Sequence, residues 1–300
     1  MTQLNSLTTM SPMPHPPKQS CCTKENASKR GFFRRMSDSR IVQRYICKTC
    51  NKSFSQATFD PAYYQKKRHL NHKCMMLLSS NISMRRTAIV LSIHNITVAR
   101  KIEYLATQLR QKNADFLTQF TCVEDIQFDE LQTIEHTKCK PLSVAMAVSK
   151  NGRKILGFRV SQMPATGHLA AISRKKYGYR KDYRMEGMTS LFEDLSTKLS
   201  QKITISSDEC PYYEPIVNAY FPKATYQQFK GQKSSVSGQG ELKKIKRDPL
   251  FTINHTFAML RANINRLIRK TWCTTKKAAR LVDHLIIYMW VHNTRLTARC

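Results

Sequence analysis

Residues 123–134, VEDIQFDELQTI, decide how the rest of the chain is read. The stretch reads as a β-strand with an acid, Asp129, inside it. Downstream, Leu142–Ser149 and Lys154–Gln162 read as two more strands, and Asn151-Gly152 between them is a strong hairpin signal. Glu186–Leu199 is patterned as an amphipathic helix. Ile203–Ser207 is a short apolar strand ending at Asp208. Pro211–Tyr220 is a helix started by its proline, and Thr225–Phe229 is a fifth strand. The Gly/Ser/Lys-rich segment 231–247 reads as a mobile loop. Two helices follow, Asn254–Lys270 and Thr275–Asn293. This order predicts an α/β fold, a mixed sheet with helices on its faces.

Two strands carry an acid where chemistry can use it. Asp129 lies in the first, and Asp208 ends the fourth. Carboxylates that converge from strand ends can hold magnesium, a cation that prefers hard oxygen ligands, and such sites cleave phosphodiesters. A lone acid at a strand end is more often a turn residue. Two acids in the right strands change that balance. Asp125, Glu130 and Glu209 stay open as neighbours, because the pleat decides which side each faces.

Charge points to the partner. The 300-residue chain carries 50 Lys and Arg against 20 Asp and Glu, a net charge of +30. Self-repulsion of that size opposes compaction unless a polyanion relieves it, and nucleic acid is the usual one. The 10 cysteines lack the density of a disulfide-stapled secreted domain. No signal peptide is evident, and the apolar run Leu285–Val291 is too short to span a bilayer. A cytoplasmic protein without membrane contact is expected, with Cys122, Cys139, Cys210 and Cys273 as plain thiols. His284 and His292 read as structural.

The N-terminal part is organised differently. Residues 1–20 read as a disordered tail. Residues 21–75 mix Cys, Arg, Lys and aromatics in the manner of a small zinc-ribbon-like module. Residues 80–115 read as a helix-turn-helix: Ser83 caps a helix to Ile93 with Ala88, Ile89 and Leu91 inward, and Thr97 caps a second. In the second helix Val98, Ile102, Leu105 and Leu109 form the inner stripe. Arg100 and Lys101 are placed on the outer, DNA-facing side. A plain helical hairpin is the alternative. The sheet domain is expected over 120–300.

Several motifs together resemble the bacterial insertion-sequence transposases of the DDE type, in the ribonuclease H-like superfamily. They are Gly31-Phe-Phe-Arg-Arg35, Tyr45-x-Cys47-x-x-Cys50-x-x-x-Phe54-Ser55, Gln127-Phe-Asp-Glu130 and Asp248-Pro-Leu-Phe251. Ile253-Asn-His255, Ala258-Met-Leu-Arg261, Arg266-Leu-x-Arg-Lys-Thr-Trp272 and His292-Asn293 complete the set. The resemblance implies magnesium- or manganese-dependent cleavage and strand transfer at the ends of a mobile element. It implies double-stranded DNA as partner and a homo-oligomer in the synaptic complex. Asp129 and Asp208 become the first two catalytic acids. The third position, commonly Glu in the family, falls on Asn254, whose carbonyl oxygen can ligate magnesium without adding charge. Asn254 as a mere helix cap is the bland alternative, and Glu241 is the rival ligand. Arg261, seven residues on, suits a DNA phosphate.

Cys47-x-x-Cys50 is a zinc knuckle. Its upstream partner is expected to be C-x-x-C, but the chain offers the adjacent pair Cys21-Cys22, which does not copy that spacing. Cys22 is therefore taken as a third ligand, with His15 as a possible fourth. His69-x-x-His72 or Cys74 is the rival completion. A non-enzymatic DNA-binding protein or repressor derived from a transposase is the alternative function. The acid pair separates the two readings, because a mere binder has no use for carboxylates beside phosphate.

Overall fold

The computed structural model describes residues 21–36, 39–63, 65–119, 123–230, 248–268 and 273–297. The expected tail, His15, Cys122, and the loop 231–247 with Glu241 lie outside the described residues. The chain divides into two compact units between His72 and Lys73.

The smaller unit is an antiparallel three-stranded sheet of β1 (Ala27–Arg34), β2 (Ile41–Cys47) and β3 (Ser53–Ser55), in that order. Gly31 adopts φ +65° at an irregularity between Lys29 and Phe32, a left-handed conformation open to glycine without steric cost. Among the described residues the unit's buried apolar cluster is Cys22, Cys47 and Phe54, with Tyr45 stacked on Phe54 at 5.6 Å. So little apolar burial does not stabilise a fold of this size unaided.

The larger unit begins with three helices, α1 (Asn71–Leu78, shared across the division), α2 (Met84–Val90) and α3 (Asn95–Thr118). Ser83 caps α2 as expected, accepting from the Arg86 N–H at 3.3 Å. The α3 cap is His94, not Thr97: its Nδ1 accepts from the Ile96 N–H at 3.2 Å, so the helix starts earlier and runs further. Ile89, expected inward, is 76% exposed.

The sheet follows. Its strands are β4 (Asp125–Glu135), β5 (Thr137–Ser149), β6 (Ile155–Gln162), β7 (Thr204–Asp208) and β8 (Thr225–Phe229). Their order is β6-β5-β4-β7-β8, antiparallel through β6, β5 and β4 and parallel through β4, β7 and β8. This is the mixed sheet that the sequence predicts. One face is covered by α5 (Arg184–Ser196) and α6 (Tyr213–Tyr220), through Met188, Leu191, Phe192, Ile216 and Val217. The other is covered by α7 (Phe251–Asn263) and α8 (Ala278–Val291), through Ile253, Phe257, Leu260, Leu281 and Leu285. A further helix, α4 (Leu169–Tyr177), was not foreseen.

The apolar run in α8 has a packing reason. Leu285 and Tyr288 face the sheet, while Ile286, Ile287 and Val291 pack against Cys74, Leu78, Val98, Ile102 and Leu105 of the N-terminal helices. A helix buried on both sides is apolar all round. The helix pair is thus built onto α8, within the same unit as the sheet. No helix among the described residues is long and apolar enough to cross a membrane. Two helix ends differ from expectation: α7 begins at Phe251, not Asn254, and it ends at Asn263, where Ile264 turns extended.

Candidate functional site

Parallel pairing of β4 and β7 sets Gln127 beside Ser206. Two residues further along each strand, Asp129 and Asp208 come level on the same face of the sheet. Burial, and then the neighbouring charge of Asp208, push the Asp129 carboxyl up to about 7. Burial also raises Asp208. Asp129 Oδ1 accepts from the Glu130 N–H, and the Tyr213 hydroxyl reaches the same carboxylate. Asp208 Oδ1 is buried with no hydrogen-bond partner among the described residues. Two half-buried carboxylates, both raised by burial and the first also by the charge of the second, with one orphaned oxygen, form a donor set that a divalent cation fits.

Gln127 ties the start of α7 to β4. Its side chain is buried on the same face as Asp129, and its Nε2 donates to the Pro249 carbonyl at 2.7 Å. The Ile253 N–H donates back to Gln127 Oε1 at 3.1 Å. These bonds hold the start of α7 on the acid-bearing strand. Asn254 follows on the exposed side of α7, in line with Ala258 and Arg261. Its amide nitrogen donates to Asp248 Oδ2 at 2.8 Å, which leaves the carbonyl oxygen as the group to meet a cation. Among the described residues, no third carboxylate or imidazole closes on the two aspartates as the cysteines below close on one another.

Glu130 points the other way along the pleat. It is buried beside Arg184 at 3.8 Å and near the Tyr212 hydroxyl, and burial raises its pKa. Asp125 begins β4, a full turn of pleats away from Asp129, and Glu209 is exposed. Tyr212 and Tyr213 were missed by the sequence reading. Their signal was their position, directly after Asp208-Glu209-Cys210-Pro211.

In the smaller unit the sulfurs of Cys21, Cys22, Cys47 and Cys50 all lie within 4.8 Å of one another, and Cys22 and Cys50 are 3.6 Å apart. A tetrahedral zinc with bonds of about 2.3 Å separates its sulfurs by about 3.8 Å, so the set fits that ion. The adjacent pair Cys21-Cys22 contributes both thiols. This corrects the expectation that adjacency disqualifies it, because the path of the chain ahead of β1, not a knuckle spacing, brings both sulfurs to Cys47 and Cys50. His69, His72 and Cys74 do not join. Backbone donation from Cys50 pulls the Cys47 thiol down to about 7, whereas burial pushes Cys21 up to about 12. Asn26 Nδ2 donates to the Cys21 carbonyl at 3.0 Å and lies 3.8 Å from Cys47 Sγ, closing the cluster from outside.

Arg100 is exposed on α3, as expected. Lys101 is not: it is 1% exposed. The phase of the helix explains the correction, since position 101 sits three residues after Val98 and four before Leu105, inside the apolar stripe. Its charge opposes the rise of the Cys74 thiol, which burial pushes up to about 11. His284 and His292 are buried, with Nε2 at 2.8 Å from the carbonyls of Leu78 and Arg153 respectively.

No protein-family profile matches this chain, and no curated protein matches it. Among solved structures it is similar to the catalytic domain of the Mos1 mariner transposase, at 8% identity and a TM-score of 0.21, over 67% of this chain and 95% of that one. So faint a likeness carries no weight for fold or chemistry, and the reading rests on the geometry above.

Proposed function

We propose that the chain is a DNA transposase that cleaves DNA and transfers strands at the ends of a mobile element. The observation that carries this reading is the pair Asp129 and Asp208, half-buried and level on parallel strands with both carboxyls raised. With Asn254 on the helix that Gln127 holds, they would bind magnesium or manganese. A cation held there would supply charge stabilisation at the reacting phosphate. The residues of the chain do the rest. Tyr213 orients the Asp129 carboxylate, the strand pair fixes both acids without a mobile loop, and Arg261 lies on the exposed stripe of α7 with Asn254. Arg100, on the exposed face of α3, suits a DNA phosphate. Cys21, Cys22, Cys47 and Cys50 would hold a structural zinc.

The test is incubation of the purified chain with DNA carrying element ends, in magnesium and in manganese. Specific nicking that is lost in Asp129→Asn and Asp208→Asn supports the reading. Tight end-specific binding without cleavage in either metal would instead leave a DNA-binding repressor.

A further inference from the structure

Residues 173–184, SRKKYGYRKDYR, hold six cations and one acid, Asp182. They form the end of α4 and an extended strap into α5. The strap is fixed along its length. Ser173 Oγ donates to the Cys139 carbonyl at 2.6 Å, Gln162 Nε2 to the Lys181 carbonyl at 3.1 Å, and the Tyr183 N–H to the Gln162 carbonyl at 3.0 Å. At its end Arg184 grips Asp182 with two nitrogens and lies 3.8 Å from Glu130, the residue after Asp129. β7 stops at Asp208, but β4, β5 and β6 continue past that level, where Ile134 pairs with Pro141 and Leu142 with Gln162. The strap therefore crosses the overhang of the sheet several residues beyond the level of Asp129, in the direction in which β7 ends at Asp208, and Arg184 meets Glu130 on the face opposite Asp129.

Its middle is built to present a ring. Gly178 takes φ +74° and ψ −170°, a region that glycine alone enters readily. Tyr179, the next residue, is 79% exposed. Arg174 and Lys175, on the last turn of α4, are exposed beside it. Cations alone describe any solvated basic face, whereas a bare aromatic held among them on an anchored backbone offers a base-stacking platform. A closed duplex presents phosphates and groove edges but no free base face.

We propose that this strap grips DNA beside the cleavage site with a nucleotide out of the duplex, its base on Tyr179 and neighbouring phosphates on Arg174 and Lys175. The proposal rests on the reading of the chain as a DNA-cleaving enzyme and adds to it the state of the DNA that the site holds. The test is fluorescence anisotropy on the full chain, without added divalent cation, using a blunt DNA duplex and the same duplex with a short unpaired 3′ tail. The tailed probe is expected to bind tighter by a factor on the order of ten, the scale of one base–aromatic stack. Tyr179→Ala should remove that preference and Tyr179→Trp should keep it. Because the ring is exposed, neither change disturbs packing. Replacing Arg174 and Lys175 with Ala should weaken both probes and flatten the slope of log affinity against log salt by roughly 0.7–0.9 per cation removed. Equal affinity for the two probes, or a preference that survives Tyr179→Ala, overturns the proposal. The cleavage reading fails separately: Asp129→Asn should keep the tail preference, and a chain that prefers the tailed probe yet never cleaves retains the strap and loses the enzyme.

Discussion

Gln127 and Ile253 join the central strand to the helix beneath it. The Ile253 N–H donates to Gln127 Oε1 at 3.1 Å, while Gln127 Nε2 donates to the Pro249 carbonyl at 2.7 Å. One buried amide thus satisfies a donor and an acceptor at the start of α7, where a helix has backbone groups to spare. Gln127→Leu keeps the volume and orphans both partners. The Ile253 N–H is buried, whereas Pro249 is exposed and its carbonyl can turn to water, so chemical denaturation should show a loss of about 1–3 kcal/mol. If α7 frames the metal site, nicking should fall further than the lost folded fraction explains, while DNA affinity holds. A variant as stable as the parent would show that these bonds do not hold the helix.

The four-cysteine cluster predicts one zinc per chain, measurable by elemental analysis. Cys21→Ser should weaken retention as much as Cys22→Ser does, since both sulfurs lie in the cluster. With so small an apolar core, β1–β3 should lose their amide dispersion on chelation, because the binding energy of a structural zinc is folding energy. Zinc that remains stoichiometric after Cys21→Ser would return the site to three cysteines and another ligand.

His284 predicts a pH dependence of stability. Burial, and then the charge of Arg266, pull its pKa from 6.5 down to about 3 in the folded chain. Below pH 6.5 the unfolded chain binds a proton that the folded chain refuses. Stability is therefore full above pH 6.5 and falls as the pH drops toward about 3, by up to about 1.4 kcal/mol per pH unit for this one group. Denaturation midpoints of His284→Gln and the parent, compared from pH 7 to pH 5, should converge as the pH falls. Parallel curves would mean that His284 does not titrate on unfolding.

Arg100 and Lys101 are neighbours in sequence with opposite fates. Arg100→Ala should weaken DNA binding at unchanged stability, as expected of an exposed cation. Lys101→Ala removes a side chain that is 1% exposed, so it should cost about 1–3 kcal/mol of stability instead. Thermal melts and salt-dependent binding on the two variants separate these outcomes, and a stability loss confined to Arg100→Ala would reverse the assignment.

What the sequence showed followed from short-range rules. The five strands and the acids on the first and fourth were legible because β-formers, the Asn151-Gly152 turn and the position of each Asp are local features. Lys101 was misplaced because its charge was weighed above its phase between Val98 and Leu105. Cys21 was set aside because knuckle spacing describes loops, whereas this pair meets Cys47 and Cys50 through the path of the chain into β1. Helix α4 escaped notice because its apolar residues, Leu169 and Ile172, face outward or only partly inward and leave no stripe to read. Gln127 carried no signal at all, because its role exists only once Pro249 and Ile253 arrive beside it.

Asn254 gives the sharpest test of the active-site proposal. It is exposed in the first turn of α7, a helix that already begins at Phe251, so it is not the residue that caps it. Its amide nitrogen is committed to Asp248, which also accepts from the Leu250 N–H at 2.9 Å. That bond engages the amide nitrogen and leaves the carbonyl oxygen as the ligand group, on the helix whose start Gln127 ties to the strand of Asp129. Truncating an exposed residue changes stability by at most about 0.5 kcal/mol, so any large effect must be chemical. Asn254→Ala should therefore melt like the parent, bind element ends like the parent, and lose metal-dependent nicking. Asn254→Asp restores an oxygen ligand but loses the donor to Asp248 and sets two carboxylates together, so it should recover only part of the rate and need more metal. Asp248→Ala should lower nicking less than Asn254→Ala, because it frees the amide without removing the oxygen. Normal nicking by Asn254→Ala, together with loss in Glu241→Ala, would move the third ligand to Glu241.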